Sequence, residues 1–484
     1  MIIKRAYLAV TEELRLQLEG RSEAVLQLQG QVLTAGSCRS IIYDGYYLQL
    51  DEIVTEQKTK ELISCRVVDF KDYIPTGFLP ILMQLGRASG YFDALEHLPF
   101  PDGTDYSSQQ KSLVLIAALA SACPHNVDIN HHLKPYPSLA QIFQMSRIPD
   151  QCTINRYLNI TQSLDLTDLQ LMLEDTQQNL GLWRFLEEPV DVDLDSTGLV
   201  VYGNTYESAN KGYLNGHRGK KGYQLNLGIC SSTAECLALM LDPASVAPGQ
   251  RFWDILYSIA EVVGGFERIG LIRADAIHGT KDNMLMLLER GSSFLLKGKD
   301  SRTARNLAKD IPSFQWETMD IIHEVAEAKP LMVSDRHAPV RTILVKTKRK
   351  KRTDYSHLYT TINEKAMEPV EVAAHYNKRQ IIEAEIKAER NGPHLNHLRT
   401  RSFYGIYSFM YHLVLAMNLI LLFRHTVLKG TALQELGLKE LTTRMMNIPA
   451  KIEKRNGILS LGFPEKHPLI RQFFKGKSEF VIRV

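Results

Sequence analysis

The chain has 484 residues, 44% hydrophobic and 23% charged, which suits about three globular domains and excludes a mostly disordered, collagen-like or disulfide-scaffold protein. Its six cysteines show no paired C-x2-C spacing, so a reduced, cytosolic protein is expected. The net charge of +3 conceals an asymmetry. Residues 376–484 hold 18 Lys and Arg against 8 Asp and Glu, a balance of +10, while the rest of the chain carries −7. A basic C-terminal quarter points to a polyanionic partner or to a solvated face.

In chain order, residues 1–75 read as a β-rich module, with strand-like segments at Val25–Gln29, Ile41–Leu50 and Leu62–Phe70 and a turn signal at Asp44-Gly45. The first twenty residues lack an uninterrupted apolar run and are not expected to form a secretory signal. Residues 76–185 read as a helical region and a candidate DNA-binding domain, with Lys111–Cys123 and Asp165–Leu182 the clearest helices. Within it, Leu139–Leu158 has a helix–turn–helix cadence with Ile154, Asn155 and Arg156 on the second helix, or is simply two packed helices. Cys123, His125, His131 and His132 cluster there, but without a second cysteine pair they read poorly as a zinc site.

Residues 186–290 are expected to be an α/β unit. Its strands are Glu188–Tyr202, Gly222–Cys230, Ala234–Leu241 and Ile269–Ala274, with a helix from Phe252 to Gly264. Residues 291–365 read as a β-rich insertion with strands Ser293–Lys297, Arg341–Thr347 and His357–Ile362. Helices dominate residues 366–428, and 429–484 are a basic, helical C-terminal segment. The longest apolar stretch, Phe409–Phe423, is interrupted by His412 and Asn418. A membrane span needs about 20 residues, so this reads as a buried helix of a soluble protein.

Three carboxylate sites carry chemistry. On a strand, Asp191, Asp193 and Asp195 share one face, which a bound cation or solvent must offset. The same stretch, Asp193-x-Asp195-x-Thr197, matches the nucleophile motif of haloacid-dehalogenase-type phosphotransferases, in which Asp193 would attack phosphorus and Asp195 act as acid/base. Against that, Glu187, Glu188 and Asp191 interrupt the strand, and no downstream Asp pair completes such a site. Asp275 closes the apolar run Gly270–Ala274, facing a ligand beyond the strand end or capping a helix. In the third, at 100° per residue Tyr376, Arg379, Glu383 and Arg390 fall within about 60° of one helix face, with Lys387 beside them. This suits an anion-binding face with a metal-directed Glu, or an amphipathic surface helix.

Tyr376-x2-Arg379-x3-Glu383-x6-Arg390 resembles the Y-x2-R-x3-E-x6-K signature of bacterial insertion-sequence DDE transposases, departing at Arg390, which keeps the charge but changes its geometry. That family's first Asp stands in a D-[ST]-T strand, matched by Asp195-Ser196-Thr197, with Asp193 the competing candidate; its second Asp closes a short apolar strand, matched by Asp275. The resemblance covers roughly 135–425, including Pro137-Ser138-Leu139-Ala140 and Arg147-Ile148-Pro149-Asp150.

The resemblance implies an α/β, RNase H-like catalytic core interrupted by the β-rich insertion. It implies DNA strand cleavage and transfer at transposon ends, with Asp195, Asp275 and Glu383 holding two Mg²⁺ (or Mn²⁺) about 3.5–4 Å apart. Tyr376, Arg379, Arg390 and Lys387 would position phosphates. The partners implied are double-stranded DNA, as transposon ends and target, and a second copy in a homodimeric synaptic complex, with no membrane. The location implied is the bacterial cytoplasm, at the nucleoid when bound. Lys348, Arg349, Lys350 and Lys351, in the basic run between two expected strands, would grip phosphate backbone as a hairpin tip, unless the run is a solvated loop. Trp316 would stack on an unpaired base or pack in the insertion. A catalytically inactive DNA-binding relic is the non-enzymatic alternative.

Overall fold

The structure, a computed structural model, describes residues 73–98, 105–121, 123–214, 217, 219–350, 352–379, 398–455 and 458–475, and the backbone of four earlier strands. Those four strands are β1 (Ala24–Leu26), β2 (Ser40–Tyr43), β3 (Tyr46–Glu56) and β4 (Lys60–Val68), in an antiparallel sheet of order β1-β4-β3-β2. Tyr43 pairs with Tyr46, leaving Asp44-Gly45 between the strands where a two-residue hairpin favours that dipeptide.

After β5 (Tyr73–Ile74) the chain turns helical: α1 (Leu79–Ala88), α2 (Ser108–Ala120), α3 (Val127–His132), α4 (Pro137–Ile142), α5 (Gln151–Ile160) and α6 (Ser163–Leu180). A capping box sets the start of α2, where Ser107 Oγ accepts from Gln110 N–H and Gln110 accepts from Ser107 N–H. The helix–turn–helix expected over Leu139–Leu158 is not formed. Eight residues, 143–150, separate α4 from α5, whereas such a motif turns in about three or four. On α5, Ile154 is buried and Asn155 accepts from Asn126 Nδ2 at 2.6 Å.

The central sheet follows. Its strands are β6 (Val190–Val201), β7 (Asn210–Lys211), β8 (Lys221–Cys230), β9 (Cys236–Pro243), β10 (Ile269–Gly279) and β11 (Ser293–Gly298). The insertion adds β12 (Glu317–Thr318), β13 (His323–Leu331), β14 (Val340–Arg349) and β15 (Arg352–Thr360). The order is β12-β13-β14-β15-β11-β10-β6-β8-β7, with β9 also on β8. β10 is parallel to both β6 and β11, and the pairings of β8 with β6 and of β15 with β11 are antiparallel. The fold is therefore mixed α/β around one large mixed sheet.

Helix α7 (Phe252–Val263) ends where Gly264 takes a left-handed φ of 87°, the usual conformation for a residue that stops a helix. Helix α8 (Lys281–Glu289) follows β10. Residues 291–363, expected to be strand-like, also contain helix α9 (Ser301–Lys309). Asp300 caps its first turn by accepting from Arg302 N–H, and Ala304, Leu307, Ala308 and the following Ile311, at i, i+3, i+4 and i+7, pack on one side with Leu344.

Backbone over residues 369–379 is helical, here α10. Helix α11 (Phe403–Thr426) is apolar enough to cross a membrane by composition, yet 89% of its most apolar window is buried. It shares one buried cluster with Leu115 of α2, Tyr157 of α5, Leu173 of α6 and Leu239 of β9. The C-terminal segment, expected to be helical, instead carries a hairpin of β16 (Ala450–Arg455) and β17 (Ile458–Gly462) before α12 (Pro468–Phe474). Arg455 pairs with Ile458, and the sequence between them is Asn-Gly, a dipeptide favoured in two-residue hairpins. β16 also pairs with β5, and Phe473 packs edge-on against Phe78 at 5.2 Å, so the C-terminal segment closes on the start of the helical region.

Candidate active site

Three residues of β6 face β10 with different fates. Asp191 Oδ1 accepts from Leu271 N–H at 2.7 Å, and a Cβ on Gly270 would lie 2.5 Å from that oxygen, so this approach requires glycine. Asp193 is 1% exposed and Arg273, beside it in the parallel register, is 3% exposed. Arg273 donates from Nε at 2.7 Å and Nη2 at 2.8 Å to the two Asp193 oxygens, while Ser231 Oγ donates to Oδ2 at 2.8 Å. With both oxygens engaged and no solvent access, Asp193 is a structural ion pair. This corrects the phosphotransferase reading and removes Asp193 as the competing first ligand.

The third guanidinium nitrogen of Arg273, Nη1, donates to the carbonyl of His375 on α10 at 2.8 Å. One buried side chain therefore ties β6, β10 and α10 together. Bidentate carboxylate binding plus a third donor is within reach of arginine's rigid fork and beyond lysine.

One residue past the last pairing of β6 with β10, Leu194 with Ala274, Asp195 and Asp275 occupy the next positions on the two strands. Both are part-exposed. Asp195 Oδ1 is 3.3 Å from Nη2 of the buried Arg379 of α10. Asp275 does not cap a helix; Thr280 caps α8, and the strand continues to Gly279 rather than stopping at Ala274. Asp275 Oδ1 accepts from Ile277 N–H at 3.0 Å, and the buried His278 lies 4.0 Å away through Nε2. Burial pushes His278 down to about 4 against the pull of Asp275, with Arg379 reinforcing the fall, so the ring is neutral at physiological pH.

Tyr376, expected to meet phosphate, is buried with Leu271, Leu295 and Val372 beneath the site, and the Arg379 guanidinium stands 5.8 Å from its ring centroid. Glu383, Lys387 and Arg390 lie outside the described residues, as does Lys351. The basic run does form a hairpin tip, since Arg349 pairs with Arg352. Lys346 and Lys348, however, both bind Glu324, and Arg349 and Arg352 both bind Asp354, each at 3.1 Å. Lys350 is exposed at the turn. Trp316 is half-buried, edge-on to Tyr355 at 6.0 Å with the Lys346 ammonium 5.1 Å from its ring centroid, so it packs within the insertion.

Sequence reasoning missed Arg273, Ser231 and His278. The available signal was an arginine inside an otherwise apolar strand, Gly270-Leu271-Ile272-Arg273-Ala274, which implies a buried carboxylate partner.

Two neighbouring carboxylates on parallel strands, with an arginine behind one of them, form an all-oxygen donor pair suited to a hard divalent cation. Among the described residues no group of three or more His, Cys, Asp or Glu converges as a metal site. Residues 111–479 match the family described as Transposase DDE domain group 1. The chain belongs to that family. It is a DNA transposase, an enzyme of nuclease and transposition chemistry acting on DNA, and its family generally uses divalent metals. The transposase also resembles a solved structure, "Cryo-EM structure of piggyBac transposase synaptic complex with hairpin DNA (SNHP)". The TM-score is 0.41 and the identity 12%, over 78% of this chain and 80% of that one. No curated protein matches the chain.

Proposed function

We propose that this transposase cuts and joins insertion-sequence ends at an RNase H-like core in which Asp195, Asp275 and Glu383 form the catalytic triad of carboxylates. The carrying observation is the adjacency of Asp195 and Asp275 on parallel β6 and β10, with Arg379 reaching Asp195 from the helix that leads toward Glu383. The strand order β9-β8-β6-β10-β11, three antiparallel strands followed by two parallel ones, supports the RNase H-like reading.

The three carboxylates would hold Mg²⁺ or Mn²⁺, which when bound supplies an activated water, then an activated DNA 3′-hydroxyl, and stabilisation of the leaving oxygen. The protein's own part is positioning. Arg273 fixes the spacing of β6, β10 and α10, and Arg379 holds the Asp195 carboxylate and its charge in place. His278, neutral and buried, packs beside Asp275 without adding a competing charge. Arg390 and Lys387 would contact phosphate. Transfer requires two ends held together, so a homodimer on double-stranded DNA is the functional unit, in the bacterial cytoplasm. We assign residues 186–290 and 366–428 to the catalytic core, 291–365 to its insertion, and the regions 1–75, 76–185 and 429–484 to modules around it.

The test is Mg²⁺-dependent cleavage of DNA carrying the element's own ends, comparing wild type with Glu383→Gln. The expected result is a variant that binds DNA and does not cut. Equal cutting by both proteins would remove Glu383 from the site, and binding without cutting by the wild type would mark the chain as an inactive relic.

A further inference from the structure

The excursion that joins β6 to β8, residues 202–220, has no role in the reading above. β6 runs on from Asp195 to Val201 beyond the end of its pairing with β10. Tyr202 comes seven residues after Asp195, and at about 3.3 Å per residue it lies roughly 23 Å from the site, on the side where the strand ends carry the carboxylates. That distance equals about seven base pairs of duplex at ~3.4 Å each.

The root of the excursion is built into the fold. Glu207 N–H donates to Arg401 O and its carboxylate accepts from Phe403 N–H, both at 2.9 Å. Tyr223 Oη donates to Glu207 O at 2.5 Å, and Tyr213 N–H donates to Ala244 O at 2.8 Å. Ala209 and Leu214 are buried. On this anchored base two aromatics point outward, Tyr202 at 74% and Tyr213 at 57% exposure. Surface loops anchored on a rigid scaffold commonly carry binding residues.

Its charge has the same sense. Residues 202–221 contain three lysines and one arginine against a single acid, Glu207, and Glu207 is used at the root. Lys211 and Lys220 are exposed. Among the described residues neither is paired with a carboxylate, and the Lys220 ammonium sits 5.4 Å from the centroid of the Tyr202 ring. That contact orients the cation and leaves its charge intact. The basic hairpin that stands out in the sequence is the contrary case, since Glu324 and Asp354 already engage four of its cations.

We propose that the β6–β8 excursion binds the phosphate backbone of double-stranded DNA flanking the cut. Lys211 and Lys220 supply charge, and the Tyr202 and Tyr213 hydroxyls supply hydrogen bonds to phosphate oxygens. The inference rests on the transposase-site reading, because that reading brings DNA to the carboxyl ends of β6 and β10. The excursion sets the path of the duplex away from the reacting phosphate.

The test uses the full chain and a fluorescent duplex of arbitrary sequence, titrated across a salt series. Each phosphate contact contributes a slope of about 0.9 to the dependence of log affinity on log salt. The Lys211→Ala/Lys220→Ala double variant is therefore expected to lower the slope by about 1.8, with roughly sixtyfold weaker binding near 0.1 M salt. Tyr202→Ala/Tyr213→Ala is expected to weaken binding severalfold, whereas Lys211→Arg/Lys220→Arg keeps the wild-type slope. All these side chains are exposed, so thermal midpoints should not move. Wild-type binding with an unchanged slope in the lysine double variant overturns this inference and leaves the active-site reading intact. Loss of self-association with an unchanged DNA isotherm overturns it in favour of a second copy as the partner. A wild type that does not bind duplex at all overturns both.

Discussion

Arg273 joins three elements at the candidate site. It neutralises a carboxylate with no access to water and holds an α10 carbonyl with its remaining nitrogen. Removing one partner of a buried pair leaves the other charged and unsolvated, at a cost of about 3–5 kcal/mol. Arg273→Met is expected to lower unfolding free energy by that amount in urea titrations. Replacing both partners, as Asp193→Leu/Arg273→Met, should recover much of the stability but not DNA cleavage, because the tie to His375 is still lost. If the double variant cuts DNA at the wild-type rate, the pair is structural filler and the positioning argument fails. At this scale the sequence was half legible. Asp195 and Asp275 could be read as candidates from their motifs, but the different surroundings of Asp193 and Asp195 could not. Alternation puts both on one face of β6, and only the neighbouring Arg273 decides which of them is silenced.

At the scale of elements, periodicity located most of those that bury one face against the core. Helices α2, α6 and α7 and strands β6, β8 and β11 lie within a few residues of their expected positions. Helix α9 was missed although Ala304, Leu307 and Ala308 carry a helical spacing, because strand-like segments flank so short a helix, and the β16–β17 hairpin because the surrounding charge obscured the Asn-Gly signal in the sequence. Helix α11 shows the limit of composition. It is long and apolar enough to cross a membrane, but its sides are covered by α2, α5, α6 and β9. The apolar residues therefore answer to protein neighbours. Leu419, fully buried at its centre, tests this: Leu419→Ala should cost about 2–5 kcal/mol by thermal or chemical unfolding. A loss below ~0.5 kcal/mol, the range of surface substitutions, would contradict the packing described.

For the molecule as a whole, acid stability follows from what is buried in the helical core. There Tyr157 Oη lies 2.7 Å from Ser112 Oγ, which lies 2.9 Å from His412 Nε2, and His412 Nδ1 lies 2.7 Å from Ser408 O. A neutral ring satisfies this chain by donating from Nδ1 to the carbonyl and accepting at Nε2. Burial lowers His412 to about 4, only partly opposed by the Ser408 carbonyl. Because the folded value lies below the ordinary ~6.5, the unfolded chain binds the proton first. Stability is then complete above about pH 6.5 and is lost toward pH 4, by up to ~1.4 kcal/mol per pH unit for this one group. Unfolding measured between pH 7 and 4.5 should show this decline, and His412→Gln should make it shallower. An identical slope in the variant would assign the acid sensitivity to other groups.

By itself the sequence determined the alternation of β and α segments, the apolar core helix, and the signature residues that carry the family resemblance, because these depend on spacing along the chain. What meets what was decided by the tertiary structure. The parallel register of β6 with β10 sets Asp195 beside Asp275 and Asp193 against Arg273. The insertion hairpin finds Glu324 and Asp354 and loses much of its free charge, while Lys211 and Lys220 keep theirs on an unremarked excursion. Charge and burial are properties of neighbours in space, and a sequence specifies those neighbours only through the fold.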